Sequence, residues 1–269
     1  MPEITLPDID LHYETYGDGE PVLFIHGLGS SVRDWEYQVD EFSNEWRLIT
    51  YDVRGHGQSD NPPGPYSIPI FARDAAELIR SISLSPVHVV GISMGGMIGL
   101  QLVVDRPELV KSLVVINSGS ELVIKSVKDQ LQVWQRLLIP RVFGMRKMGE
   151  ILGDRLFPKL EHAEIKKIFI NRWAENDVRS YMESFKALVG WSVTDRLKEI
   201  ECPVLVIAAD EDYTPVESKE AYVRLIKLGE LVVIKDSRHP TPVDQPEAFN
   251  KVLRAFLERQ EKQDDPSNL

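Results

Sequence analysis

Short runs of apolar, largely β-branched residues alternate along this chain with longer stretches in which apolar positions recur every three or four residues. Residues 4–6 and 11–16 alternate in and out, as an antiparallel edge pair would, around the turn signal Pro7-Asp8. Six continuous runs follow, at 22–25, 48–51, 87–90, 113–116, 204–208 and 231–234. A strand covered on both faces needs such a run, because side chains of both parities are buried. Helical spacing marks 71–82, 97–104 and 248–256. Strand alternating with helix predicts an α/β protein: a mostly parallel, eight-stranded, doubly wound sheet with helices on both faces.

One stretch interrupts the alternation. Residues 121–192 hold no strand candidate but carry helical segments with Trp134, Phe143, Phe169, Trp173, Phe185 and Trp191, expected either in that segment's own core or against a pocket. It also differs in charge, with 13 Lys/Arg against 9 Asp/Glu, or +4, which leaves −15 for the rest of a chain whose net charge is −11. The expected organisation is a core at 1–119, a helical insertion at 120–193, the rest of the core at 194–260, and a polar, frayed tail at 261–269.

Composition narrows the function classes. The acidic balance argues against nucleic acid as a general partner, since phosphate contacts need clustered Lys and Arg. A lone cysteine, Cys202, excludes an internal disulfide and a Cys-based zinc cluster, and reads as a small core residue opening a strand. The start, Met1 to Thr5, lacks a basic stretch followed by an apolar one, and no apolar run approaches the ~18 residues of a membrane span. The expectation is a cytoplasmic enzyme without a membrane partner, monomeric or homo-oligomeric.

The chemistry concentrates at run ends. Gly91-Ile92-Ser93-Met94-Gly95-Gly96 joins a strand run directly to a helical one. So tight a turn leaves no room for side chains at the flanking positions, and it lifts the Ser93 hydroxyl out of the sheet at a helix N-terminus. His26-Gly27-Leu28-Gly29 follows another run, and there the N–H of Leu28, with that of Met94, can form an oxyanion hole while His26 holds the loop. A serine nucleophile needs a base and the base an orienting acid. Of six histidines, His239 alone follows the last strand at the edge that carries Ser93; the acid is Asp210 or Asp212, after the run 204–208.

With these parts in place the chain resembles the α/β-hydrolase family over about residues 11–257, most closely 3-oxoadipate enol-lactonases through Asp52-Val53-Arg54-Gly55-His56-Gly57-Gln58-Ser59 and residues 91–97. The resemblance implies that Arg54 and His56 shape the loop after the fourth strand. It prefers Asp212 to Asp210, makes the insertion a cap over the pocket, and requires no metal or cofactor. It implies a serine hydrolase acting on small-molecule esters or lactones through an acyl-enzyme. C–C bond hydrolysis and perhydrolysis share the same triad, and a slow-turnover ligand receptor of this fold is the non-enzymatic alternative. Dehalogenase and epoxide-hydrolase chemistry would need a carboxylate where Ser93 stands.

Overall fold

The computed structural model describes residues 3–82 and 86–264, with side chains through Lys262. Its eight strands are β1 (Glu3–Leu6), β2 (Ile9–Tyr16), β3 (Glu20–Ile25), β4 (Trp46–Tyr51), β5 (Val87–Ile92), β6 (Val110–Ile116), β7 (Val204–Ala209) and β8 (Gly229–Ile234). They form one sheet in the order β1-β2-β4-β3-β5-β6-β7-β8. β2 runs antiparallel to both neighbours, and every pairing from β4 to β8 is parallel. All of the parallel strands therefore end at one edge, where ligands of open α/β sheets bind.

Alternate residues explain why these runs are continuously apolar. Leu23 and Ile25 of β3 enter one hydrophobic layer with Leu113 and Val115 of β6. Val22 and Phe24 enter the opposite layer with Val114 and Ile116. Helices α2 (Ile68–Ser81) and α3 (Met94–Asp105) cover the first face, while α1 (Glu36–Phe42) and α9 (Pro246–Asp264) cover the second. Each buried side chain of this size is worth about 1.5–3 kcal/mol, so the two layers hold the strand ends in fixed positions. The remaining helices of this part are α7 (Val216–Val223) and α8 (Thr241–Asp244).

Between β6 and β7 the chain forms α4 (Val127–Leu156), α5 (Ala163–Ala174) and α6 (Val178–Leu188). Ser126 caps the first through Asp129 N at 3.1 Å, and Asp177 caps the third through Ser180 N at 2.8 Å. The long α4 breaks at Gly144, whose φ of 79° is not helical. Met145, Met148, Leu152, Trp173 and Tyr181 form a third core there, and Leu28 of the loop after β3 and Val243 of α8 pack against it.

Three expectations need correction. The helix after Ser93 begins at Met94 rather than near 97, because Ser93 itself turns the chain. Residues 261–264, expected in a frayed tail, belong to α9, which runs to Asp264, and Trp46 Nε1 donates to Glu261 at 2.6 Å; residues 265–269 lie outside the described ones. Trp134 and Phe143 are 64% and 68% exposed, so they belong neither to the insertion's core nor to a pocket wall. Among the described residues no helix is long and apolar enough to cross a membrane.

Candidate active site

Ser93 sits between β5 and α3 with φ 54° and ψ −115°. A non-glycine residue held there costs of order 1–3 kcal/mol, and the surroundings enforce it. Ser93 N donates to Ile116 O at 2.9 Å, while Ser93 O accepts from Ser118 Oγ at 2.6 Å and Gly96 N at 3.0 Å. A Cβ on Gly95 would lie 2.1 Å from Ile25 O, and one on Gly91 2.3 Å from Gly95 O. Glycine at both positions lets the turn nest against β3.

The loop after β3 reaches the same place: a Cβ on Gly27 would be 3.5 Å from Ser93 Cβ. His26 governs its orientation. Val53 N donates to His26 Nε2 at 2.9 Å, which leaves the proton on Nδ1, and Nδ1 lies 2.7 Å from Gly27 O. Burial holds the imidazole neutral, with its pKa pushed down to about 4. The Gly27 carbonyl and the Leu28 N–H belong to one planar trans peptide and point in opposite directions. Tethering the carbonyl to His26 therefore fixes where the Leu28 N–H points. The Met94 N–H stands at the first position of α3. His56 is likewise buried and neutral, lowered to about 3, with Nδ1 3.1 Å from Arg54 O; Arg54 forms a two-pronged pair with buried Asp74 at 2.7 and 3.0 Å.

The structure brings Asp212 and His239 together: His239 Nδ1 lies 2.9 Å from Asp212 Oδ1. Asp210 is turned away, accepting from Ser237 N at 3.3 Å. Asp212 is fully buried, and its other oxygen accepts from Thr214 Oγ1 and from Lys219 Nζ at 2.9 Å. Burial alone would raise its pKa, but the His239 hydrogen bond and the charges of His239 and Lys219 prevail and hold it at about 2. An ionised carboxylate accepts the His239 Nδ1–H, which leaves Nε2 as the ring nitrogen with the lone pair.

Three residues not foreseen from the sequence complete the site. Lys219 is a buried cation whose ammonium also donates to Thr214 O at 2.8 Å. Asn117, at φ 45° after β6, ties the acid and base loops together. Its Oδ1 accepts from Ala209 N at 2.8 Å, and its Nδ2 reaches Thr241 Oγ1 at 2.7 Å, His239 O at 2.9 Å and Arg238 O at 3.2 Å. Tyr213 stacks on His239 with ring centres 4.3 Å apart, and its hydroxyl lies 2.8 Å from His239 Nε2. Burial dominates the surroundings of that hydroxyl and pushes the phenol pKa up. Tyr213 is 44% exposed, with its hydroxyl held against His239. The structure thus does not join Ser93 directly to His239. No signal short of the folded loops could have found these three residues.

A cavity of about 590 Å³ opens beside the site, between loops 29–37 and 52–61 and α5. Trp173, Pro240 and Val243 line it, whereas Ser93, Asp212 and His239 do not. Cys202 packs against the core, and burial raises its thiol pKa to about 11, which keeps it protonated. Among the described residues no group of three or more His, Cys, Asp or Glu is placed to hold a metal ion.

The likeness to known proteins spans the same architecture. A family model described as the alpha/beta hydrolase fold matches residues 20–246. 3-Oxoadipate enol-lactonase 2 from Acinetobacter baylyi is 30% identical over 263 residues, covering 95% of this chain and 96% of that protein. From the same organism, (E)-2-((N-methylformamido)methylene)succinate hydrolase is 30% identical over 256 residues, covering 92% and 94%. Among solved structures, a thermophilic esterase from Thermogutta terrifontis with malate bound is similar with a TM-score of 0.87 at 25% identity, over 97% of this chain and 99% of that one. Sheet order, the glycine-flanked serine turn and a match over most of the chain agree: this protein belongs to the α/β-hydrolase fold family.

Proposed function

We propose that this protein is a serine hydrolase that cleaves small-molecule carboxylic esters or lactones through an acyl-enzyme on Ser93. The observation that carries the reading is the buried Asp212–His239 pair at the sheet edge where the strained Ser93 turn emerges. Lactonase and esterase among the similar proteins support the same bond class. Substrate binding displaces the Tyr213 hydroxyl from His239 Nε2, and Nε2 then takes the Ser93 proton as Oγ attacks the carbonyl carbon. The developing oxyanion is held by the N–H groups of Leu28 and Met94; losing one such donor typically costs ~10²–10³ in rate. His239 passes the proton to the leaving oxygen, the ester C–O bond breaks, and water activated by the same nitrogen releases the acid. In this reading the helices within 120–193 act as a cap that roofs the site and shapes the substrate.

A rate assay with p-nitrophenyl acetate tests the proposal. Ser93→Ala is expected to retain the fold by circular dichroism and to lose turnover by at least ~10³-fold, the scale of a missing triad nucleophile. Turnover retained by a folded Ser93→Ala chain, or only a single stoichiometric acylation of the wild type, refutes it.

A further inference from the structure

The first half of α4, before its break at Gly144, has two apolar faces. Val133, Leu137 and Pro140 are half-buried or buried and form the inner one. On the opposite side stand Val127, Leu131, Trp134, Leu138 and Val142, each more than half exposed. Their spacing of four, three, four and four residues keeps all five on one narrow stripe, the seam along which paired helices pack. At 1.5 Å per residue the stripe is about 22 Å long. Together the five side chains expose on the order of 600 Å² of apolar surface, the upper end of the ~300–600 Å² that the largest patch on a typical monomer reaches. Among the described residues nothing covers it.

The order of the side chains indicates what fits there. From either end the stripe reads Val-Leu-Trp-Leu-Val, with Trp134 at its middle. A two-fold contact needs this self-complementarity, because residue i meets j while j meets i. Charge favours the same occupant. Two chains of net charge −11 repel, but the stripe lies on the +4 insertion, away from the −15 of the rest, and Gln130 and Gln135 form uncharged rims beside it. A helix resting on lipid instead carries rows of Lys and Arg on a polar face turned to water. Here the face opposite the stripe is turned inward and apolar. Two copies of the stripe would bury on the order of 1,200 Å² before the rims are counted, the lower bound of a stable specific interface.

We infer that the outer face of α4 binds a second copy of this chain, the two helices pairing antiparallel about a two-fold axis at Trp134. Trp134 then packs against Trp134 of the partner subunit. Leu131 meets Leu138 of the partner subunit, and Val127 meets Val142 of the partner subunit. A central aromatic ring ringed by aliphatic contacts is where binding energy concentrates in an interface. The inference is independent of the chemistry at Ser93.

Sedimentation equilibrium at micromolar concentration tests it. The wild type should show twice the 30.6 kDa of one chain. Trp134→Glu should weaken self-association at least ~10²-fold, since the anchor is lost on both sides of the axis. Its circular dichroism should match that of the wild type, because the side chain is exposed in the single chain. Leu131→Glu repeats the test at a second position, and Leu160→Glu, exposed outside the stripe, should leave the dimer intact. A short bis-maleimide then reads the direction of pairing in a Cys202→Ser background. It should link Val127→Cys chains to Val142→Cys chains, but not Val127→Cys chains to one another, whose sites stand about 22 Å apart. A wild type that stays monomeric overturns the inference, including one whose Trp134 enters phosphatidylglycerol vesicles instead. So does a dimer that Trp134→Glu leaves intact, and links between Val127→Cys chains overturn the antiparallel pairing.

Discussion

Replacing Asn117 with alanine should loosen the acid and base loops together, because this one side chain joins them. Its carboxamide oxygen accepts from Ala209 N, at the end of β7 just ahead of Asp212, and its amide serves Thr241 Oγ1 and the carbonyls of His239 and Arg238. Its two N–H groups and one oxygen sustain about three net hydrogen bonds, each worth about 1 kcal/mol in a buried setting. The backbone adds to the loss, since φ is 45° here and asparagine tolerates that region about 1 kcal/mol better than alanine does. The variant should therefore lose about 4 kcal/mol, a large fraction of the ~5–15 kcal/mol that holds an ordinary domain. Denaturant titration measures that loss directly. At temperatures where the variant is still folded, kcat for p-nitrophenyl acetate should drop on the order of 10²-fold, as expected for a base displaced by about 1 Å. A loss below ~1 kcal/mol with kcat unchanged would refute the view that Asn117 positions His239.

Other perturbations separate the remaining parts of the account. His26 and His56, lowered by burial to about 4 and about 3, must both gain protons when the chain unfolds in mild acid. Unfolded histidine titrates near ~6.5, so their stability contribution is complete above that pH and is lost as pH falls toward the folded values, at up to ~2–3 kcal/mol per pH unit near pH 5. Denaturation midpoints at pH 7.5, 6 and 5 check it, and a flat series would count against neutral burial of these rings. Tyr213→Phe removes the hydroxyl that competes with Ser93 for His239 Nε2; one hydrogen bond of about 1 kcal/mol predicts a rise in the acylation rate of roughly fivefold. A tenfold fall would instead make that hydroxyl part of the chemistry. Gly95→Ala puts a Cβ 2.1 Å from Ile25 O and should cost more than ~3 kcal/mol, whereas Gly144→Ala meets nothing within 4 Å and should cost only the ~1–3 kcal/mol of its glycine-favouring backbone conformation, φ 79° and ψ 172°. Thermal melts of the two variants settle the contrast, and equal losses would contradict it.

The contrast between legible and hidden features has a physical basis. Continuous runs such as 22–25 and 113–116 reveal buried strands because each residue answers to one of two hydrophobic layers. The Ser93 turn is legible because its glycines are forced by contacts only a few residues away, Gly91 against Gly95 for example. Asp212 could be placed in the right loop, but facing His239 rather than turning outward depends on Lys219 and Thr214 filling its second oxygen. Asn117 carries no signal in the sequence, because its partners lie 92 to 124 residues further along and meet it only after the sheet closes. Tyr213 is hidden for the same reason: its hydroxyl meets His239 only once the loops after β7 and β8 come together. Trp134 and Phe143 show the opposite failure, since aromatic residues at helical spacing suggested burial and the folded α4 leaves both exposed.

The central claim is that Ser93 is the nucleophile, and covalent trapping tests it most directly. Treated with diethyl p-nitrophenyl phosphate, the wild-type chain should gain a single diethylphosphoryl group, release nitrophenol in equal amount and lose esterase activity in step. Peptide mapping should place that group on Ser93, and Ser93→Ala should take up none. A label carried on any other residue, or full activity in a chain labelled at Ser93, would contradict the account.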